Sequence, residues 1–259
     1  MNRRGRERRG RPVPTNILRR TEHALAEVVT DPHHPTSRLL LLDGREAGQV
    51  DLSDPRELAF SYMRRIADLI DAFRPATSGI DVVHVGGGAC ALPRYVAATR
   101  PKSRQVVFEL DAGVVALARE HLGLRATPRL RIKIGDAAEL IRSRYDASAD
   151  LVIGDAFDGP HVPAQLSTAG FVAQVRRVLK PSGVYALNVI DLPALEEVRA
   201  HDALVRAVFA NVVWVAPPGV LRGRAPGNVV LFASDAALPV AALQRAATAA
   251  VPREQVSAR

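Results

Sequence analysis

The chain has 259 residues, 47% of them apolar, which is enough for one large domain or for one domain with a small appendage. Its net charge is +8, but residues 1–20 hold eight arginines against one glutamate, so the rest of the chain is almost neutral. The single cysteine, Cys90, excludes a disulfide framework and a cysteine-based metal cluster, and it favours a reducing cytoplasm. No apolar run approaches the roughly 18 residues that span a bilayer.

The arginine-rich beginning predicts a disordered leader over residues 1–36. An Arg/Gly/Pro run without apolar spacing cannot bury enough surface to become ordered. Such a leader is a candidate for contact with nucleic acid or anionic lipid, although it has no aromatic residue for base stacking. The alternatives are a leader without a specific partner or a start codon placed too early.

A small hairpin and a helix are predicted next. Ser37–Leu42 is an apolar run that leads into the turn signal Asp43-Gly44, and Gln49–Leu52 is the expected partner strand. Asp54-Pro55 is typical of a helix start, with the aspartate as N-cap and the proline in the first turn. We expect this helix to continue to about Phe73.

From residue 80 onward, strand-like apolar runs alternate with helical patterns. The predicted parallel strands are Ile80–Val85, Gln105–Leu110, Leu130–Ile134, Asp150–Ile153 and Val184–Val189. Helical patterns cover 94–99, 112–122, 137–144, 168–179 and 192–209, and the last strand pair is Val212–Val215 with Val229–Ala233. This alternation predicts an α/β fold: a Rossmann-like, doubly wound, mostly parallel sheet ending in an antiparallel strand pair.

The expected organisation has four regions. They are the basic leader (1–36), the hairpin and helix (37–75), the Rossmann-like domain (76–240), and a C-terminal helix or tail (241–259). In a sheet of this kind, ligands bind beyond the carboxyl ends of the strands. Functional side chains are therefore expected directly after strands.

The first two such signals suit a nucleotide-like ligand. Gly86-Gly87-Gly88 begins a G-x-G-x-x-G/A match between a strand and a helix, where glycines permit a tight turn and close backbone approach. Glu109 ends the next strand, where a carboxylate can accept hydrogen bonds from both ribose hydroxyls. The alternatives are a tight turn without a ligand and a solvent-facing or capping carboxylate; Asp111 is the better N-cap for the following helix.

Acidic residues also follow the third and fourth strands. Asp136, with Ala137, could meet the exocyclic amine of an adenine, or Asp136 could simply cap the helix that follows. Asp155 and Asp158 lie three residues apart in one loop, where Asp155 could orient an attacking amine and take its proton. The alternative is an ordinary Asp-rich turn. His161, in the same loop, could line a substrate pocket.

Other chemistry is disfavoured by the sequence. The P-loop pattern G-x-x-x-x-G-K-[ST] is missing, and nicotinamide enzymes usually add a second substrate domain. His84, inside a strand, and Cys90, with no base beside it, are expected to be packing residues. The features together favour an adenosyl-type co-substrate and no metal.

The chain resembles the spermidine synthase family of aminopropyltransferases over about residues 38–235. The similar stretches are Leu42-Asp43-Gly44, Val85–Gly88, Glu109–Asp111, Gly135–Ala137, Asp155 with Asp158–Pro160, and Leu179–Gly183.

The resemblance implies that Gly86 and Gly88 hold the amino-acid part of the co-substrate, Glu109 the ribose, and Asp136 with Ala137 the adenine. It also implies that Asp155 is the base and that Asp158 anchors a polyamine. Gln49 resembles the glutamine of the family's hairpin, with a longer spacing from the turn.

Two departures from the family pattern concern charge. Ala89 stands where the family has an aspartate that contacts the aminopropyl end of decarboxylated S-adenosylmethionine, and Phe60-Ser61-Tyr62 replaces a Tyr-His-Glu stretch. A diamine is a dication whose site needs carboxylates and aromatic faces. Ordinary S-adenosylmethionine carries its own carboxylate and needs no acid at Ala89. Tyr62 remains a candidate substrate-binding residue.

Three functions therefore compete. The first is aminopropyl transfer from decarboxylated S-adenosylmethionine to a polyamine or another amine. The second is methyl transfer from S-adenosylmethionine to an unknown small molecule. The third is a non-catalytic relative that binds a nucleoside ligand or a partner protein. The resemblance also suggests a homodimer, and nothing suggests a membrane partner.

Overall fold

The computed structural model describes residues 16–75, 77–125 and 127–258. Its N-terminal part is an antiparallel sheet whose strands follow one another in space as in the chain. They are β1 (Ile17–Arg20), β2 (Leu25–Thr30), β3 (Ser37–Leu42) and β4 (Arg45–Asp51). The predicted hairpin is confirmed: Asp43 and Gly44, with φ of +48° and +76°, form the two-residue turn between β3 and β4.

The predicted disordered leader extends too far along the chain. β1 and β2 fall inside residues 1–36, and Ala26 and Val28 are buried in one cluster with Leu40 of β3. Side chains of Leu25–Thr30 alternate between the core and the outer face, which is the period-two pattern of a strand. The arginine-rich composition of the leader does not reveal this pattern. Residues 1–15, and with them the leader's predicted contact with nucleic acid, lie outside the described residues.

Helix α1 spans Ser61–Phe73, so the predicted helix start at Asp54-Pro55 is wrong. The Asp54 carboxylate accepts hydrogen bonds from the backbone N–H and the guanidinium of Arg56, which makes a local turn instead of a helix cap. The helix ends one residue before Arg74-Pro75, as predicted.

The main sheet has eight strands and confirms the predicted fold class. Its parallel strands are β5 (Asp81–Val85), β6 (Arg104–Glu109), β7 (Leu130–Ile134), β8 (Ala149–Gly154) and β9 (Leu179–Asp191). The antiparallel strands are β10 (Asn211–Ala216), β11 (Gly227–Ser234) and β12 (Gln255–Ala258), one more than predicted. The spatial order is β12-β10-β11-β9-β8-β5-β6-β7. After β5 the chain adds strands on one side of the sheet, and from β8 onward it adds them on the other side. A ligand site is therefore expected at the carboxyl ends of β5 and β8, where this order switches.

Helices cover both faces of this sheet. They are α2 (Ala91–Thr99), α3 (Ala112–His121), α4 (Ala137–Leu140), α5 (Ala169–Val178), α6 (Glu196–Arg206), α7 (Pro218–Leu221) and α8 (Val240–Ala249). Successive strand residues feed two separate cores: Val82 packs with α1, α2, α3 and α8, and Val83 packs with α5 and α6. The N-terminal sheet joins the first core.

Helix α6 begins four residues later than the predicted start at 192. The Asp191 carboxylate accepts hydrogen bonds from the backbone N–H groups of Leu192 and Val198, which holds the intervening residues in a tight turn. Ala194 and Leu195 have positive φ in that turn. In the part of the chain that the structure describes, no helix is long and apolar enough to cross a membrane.

The buried guanidinium of Arg100 fixes the end of α1 against α2. Arg100 is 1% exposed, and it donates to the carbonyl oxygens of Ile70, Arg74 and Pro75 at 2.6–2.8 Å. The last carbonyls of a helix have no partner within the helix, so these bonds satisfy groups that burial would otherwise leave unpaired.

We expect Arg100→Leu to lower the free energy of unfolding by about 3–5 kcal/mol, because it leaves several buried carbonyls without donors. Urea unfolding measures this loss. Arg104→Leu is the matched control, since Arg104 is an exposed arginine paired with Asp81 and should change stability little. Similar midpoints for the two variants would contradict the proposed role of Arg100.

Candidate active site

The glycine loop after β5 packs tightly against two other segments. A Cβ on Gly86, whose φ is +92°, would lie 2.4 Å from the carbonyl oxygen of Asp155. A Cβ on Gly88, whose φ is +46°, would lie 2.6 Å from the carbonyl oxygen of Ala47 in β4. Both positions therefore require glycine, and the loop meets the end of β8 on one side and the N-terminal sheet on the other.

Glu109 stands directly over this loop, as its spacing predicted. Its Oε2 accepts hydrogen bonds from the backbone N–H groups of Gly87 at 2.8 Å and Gly88 at 3.1 Å, and its Oε1 accepts from Asp111 N–H at 3.0 Å. Asp111 caps α3 through Gly113 N–H at 2.7 Å, as predicted. Oε2 uses both of its lone pairs in these bonds, whereas Oε1 keeps one for a ligand hydroxyl, so Glu109 can accept a hydrogen bond from a ribose.

Asp136 caps α4, and this capping leaves one of its oxygens available. Its Oδ1 accepts from Ala138 N–H at 2.7 Å, and its Oδ2 has a long contact of 3.4 Å with the Gln165 amide. Leu110 and Ile134, at the neighbouring strand ends, are each 47% exposed. An acceptor beside exposed apolar side chains is a setting that fits an adenine ring.

Asp155 lies at the end of β8 and is held by neutral donors from two other elements. Tyr62 Oη, from α1, donates to Oδ2 at 3.0 Å, and Asn188 Nδ2, from β9, donates to Oδ1 at 2.9 Å. Asp155 is half-buried, and desolvation of its carboxyl group by the surrounding protein raises the pKa of Asp155 to about 6, although both hydrogen bonds favour the ionised form. Burial, reinforced by the nearby carboxylate, raises the pKa of Tyr62 well above 10, so Tyr62 remains a donor.

The hairpin fills the space beside Ala89. A Cβ on Gly48 would lie only 2.7 Å from the Ala89 Cβ, so β4 and the glycine loop are in direct contact here. The small cavity between Asp155 and the loop is lined by apolar residues such as Met63 and Ile153 and has room for about one water molecule. In this arrangement the cavity is therefore too small to hold a diamine.

Three predicted substrate-binding residues have other contacts. Gln49 Nε2 donates to Ser37 Oγ at 2.7 Å within the N-terminal sheet. His161 Nδ1 lies 2.9 Å from Glu197 Oε1 on the surface. Asp158 is exposed, in a turn closed by its backbone bonds with His161. Their roles toward a substrate stay predictions.

The expected packing residues are buried. His84 lies 2.8 Å from Gln105 Oε1, and burial lowers its pKa to about 4, so it is neutral at physiological pH. Burial also raises the pKa of Cys90 to about 12, which leaves no thiolate for catalysis. Among the described residues, no group of three or more His, Cys, Asp or Glu side chains is arranged to hold a metal ion.

Sequence reasoning missed two site residues, Asn188 and Asn228. Asn228 Nδ2, from the start of β11, donates to Asn188 Oδ1 at 3.0 Å, and Asn188 in turn donates to Asp155. Asn188 is 1% exposed. A polar residue near the end of the apolar run Val184–Val189 was the available signal, because a buried amide needs partners.

The raised pKa of Asp155 has a consequence for stability. The unfolded chain ionises this carboxyl near pH 3.9, but the folded chain ionises it only near pH 6. The free energy of unfolding therefore falls as pH rises from about 4 to about 6 and then stays lowered. We expect Asp155→Asn to be more stable than the wild type at pH 7.5 by roughly 1–3 kcal/mol, and this advantage to shrink toward pH 4.5.

Urea unfolding of both proteins at the two pH values measures this difference. Asp158→Asn is the matched control, because that carboxylate is exposed. A wild type as stable as Asp155→Asn at pH 7.5 would show that the Asp155 carboxylate is not destabilised by burial.

Comparison with known proteins identifies the family. The model of the spermine/spermidine synthase domain matches residues 59–220. A probable spermidine synthase from Corynebacterium glutamicum ATCC 13032 is 31% identical, with a TM-score of 0.87 that covers 95% of this chain and 91% of that chain. A spermidine synthase in complex with the transition-state analogue AdoDATO is 19% identical, with a TM-score of 0.67 over 87% of this chain and 75% of that one, and it shares the fold.

A curated relative agrees with this assignment. The polyamine aminopropyltransferase of Vibrio vulnificus (strain CMCP6) is 27% identical over 201 residues, which cover 76% of this chain. The match spans 64% of that relative's length. On the match of the domain and on these likenesses, the chain belongs to the spermine/spermidine synthase family.

Proposed function

We propose that this protein transfers an aminopropyl group from decarboxylated S-adenosylmethionine to an amine acceptor, with Asp155 as the general base. The observation that carries the proposal is the Asp155 carboxylate, which Tyr62 and Asn188 hold beside the glycine loop at the switch point between β5 and β8. The family membership supports the reaction class.

The strand ends supply a set of groups suited to an adenosyl co-substrate. Glu109 would accept from the ribose hydroxyls, and Asp136 with Ala137 would meet the adenine between the exposed side chains of Leu110 and Ile134. The backbone of the glycine loop would hold the tail of the co-substrate. The co-substrate itself supplies a sulfonium, whose adjacent carbon is the electrophile.

Asp155 is suited to proton transfer near neutral pH. A carboxyl with a pKa of about 6 is mostly ionised at pH 7 and is more basic than an ordinary aspartate. As the amine forms its bond to carbon and the carbon–sulfur bond breaks, the amine proton passes to Asp155 and the electron pair leaves with sulfur. Tyr62 keeps the second carboxylate oxygen in position.

The acceptor is proposed to be a polyamine or a related amine. Tyr62, Asp158, His161 and Gln49 are the candidate contacts, and of these Tyr62 has a direct bond to Asp155. A homodimer and a cytoplasmic location also remain predictions.

The alanine at position 89 favours a second candidate, methyl transfer from S-adenosylmethionine. The decarboxylated co-substrate has a cationic tail, and no acidic side chain stands at position 89 to balance it. S-adenosylmethionine carries its own carboxylate and would not need this partner. The two functions therefore differ in the form of the co-substrate that binds.

A paired turnover and binding experiment tests the proposal. The protein is incubated with decarboxylated S-adenosylmethionine and 1,4-diaminobutane, or with S-adenosylmethionine and the same amine, and the products are identified by mass spectrometry. We expect the aminopropyl product from the first pair, and we expect Asp155→Asn to reduce its formation by about 10²–10⁴-fold with little change in co-substrate affinity. Methylated amine from the second pair alone would support the alternative. If calorimetry shows that the folded protein binds neither co-substrate, the protein is a non-catalytic relative.

We expect Glu109→Gln to weaken co-substrate binding by about 10- to 100-fold, because the ribose would lose its charge-assisted acceptor. Isothermal titration calorimetry measures the dissociation constant. Glu139→Gln is the matched control, since Glu139 is an exposed acid of α4 that pairs with Arg142. An unchanged dissociation constant for Glu109→Gln would remove Glu109 from the binding site.

A further inference from the structure

A polar chain of three side chains crosses one face of the sheet. Asn228 donates to Asn188 at 3.0 Å, and Asn188 donates to Asp155 at 2.9 Å. In the strand register, Asn188 lies opposite Val230, so Asn228 is its diagonal neighbour on the same face. β11, β9 and the end of β8 therefore each contribute one member.

The direction of this chain follows from chemistry. An ionised Asp155 can only accept hydrogen bonds, so Asn188 must present its NH₂ group to the carboxylate. The Asn188 carbonyl oxygen then faces away from Asp155 and needs a donor, which Asn228 supplies. The alternative orientation of the Asn188 amide would place an oxygen against the carboxylate, so the network itself fixes the assignment.

Within the part of the chain that the structure describes, no cation pairs with Asp155. Tyr62 from α1 is the titratable side chain bonded to Asp155, and it is a neutral donor. His84 from β5 lines the same cavity and is uncharged, and the lining residues from α2 and β4 are apolar. Among the described residues, Asp155 takes part in no ion pair within 4 Å. The ionised carboxylate therefore depends on the hydroxyl of Tyr62 and the amide of Asn188.

We propose that Asn188, supported by Asn228, is a positioning residue that holds Asp155 ionised and correctly oriented. This inference builds on the proposed role of Asp155 as a base, but it concerns the carboxyl group itself and can be tested without turnover. Asn188 acts through Asp155 and is not assigned any contact with the reacting atoms.

The decisive measurement is the titration of the Asp155 carboxyl by NMR in protein labelled with ¹³C at the aspartate carboxyl carbon, with Asp155→Asn used to assign the signal. Asn188→Leu removes the donor at similar volume, so the neutral acid is favoured and the midpoint should move up by about one to two pH units. Asn228→Leu should move the midpoint in the same direction by a smaller amount. The acid limb of the turnover profile should follow both changes.

Ser234→Ala is the matched control. Ser234 is also a 1% exposed polar residue of β11, but its hydroxyl donates to the carbonyl oxygen of Gly183 and not to Asp155. We expect this variant to lose stability without moving the Asp155 midpoint. If Asn188→Leu does not fold, Asn228→Leu still provides the test, because Asn228 lies at the start of its strand and is only partly buried.

An unmoved Asp155 midpoint in Asn188→Leu, or in Asn228→Leu where only that variant folds, would overturn the proposal, even if turnover fell. Lower turnover at an unchanged midpoint would indicate a purely structural asparagine. A shifted midpoint in a protein that shows no turnover with either co-substrate would support the positioning role and reject the proposed function.

Discussion

The close approach of Gly86 to the backbone of Asp155 is the constraint on which the site depends. No side chain fits at position 86, because its Cβ would lie 2.4 Å from the Asp155 carbonyl oxygen. The carboxyl ends of β5 and β8 can therefore meet directly. Their meeting places the Asp155 carboxylate on the sheet face that α1 and the N-terminal sheet cover, where water is largely excluded.

Excluding water from Asp155 has opposing effects on stability and chemistry. Burial disfavours the ionised carboxylate, and its neutral donors offset only part of that effect, because no cation accompanies them among the residues that the structure describes. The same burial gives the carboxylate a basicity that suits proton transfer near pH 7. A fold that placed an arginine beside Asp155 would be more tolerant of the charge, but its aspartate would be a weaker base. The neutral donors Asn188 and Tyr62 stabilise the ionised carboxylate less than an arginine would and more than an apolar environment would.

The sequence was most informative about the residues that follow the ends of the parallel strands. The glycine loop, Glu109 and Asp155 were predictable because parallel strands place their carboxyl ends at one edge. Asn188 and Asn228 were not, because they belong to no motif and meet only through the pairing of β9 with β11. The helix start was misjudged at Asp54, since a local bond to Arg56 competes with helix capping.

The unusual residue in the glycine loop is best understood together with the strand that packs on it. Gly48 of β4 packs directly against Ala89, because a Cβ on Gly48 would lie 2.7 Å from the Ala89 Cβ. The hairpin and the loop therefore both border the position at which an acidic side chain is lacking. Ala47 of β4 also lines the small cavity at Asp155. The N-terminal sheet therefore borders both the space beside Ala89 and the cavity beside Asp155.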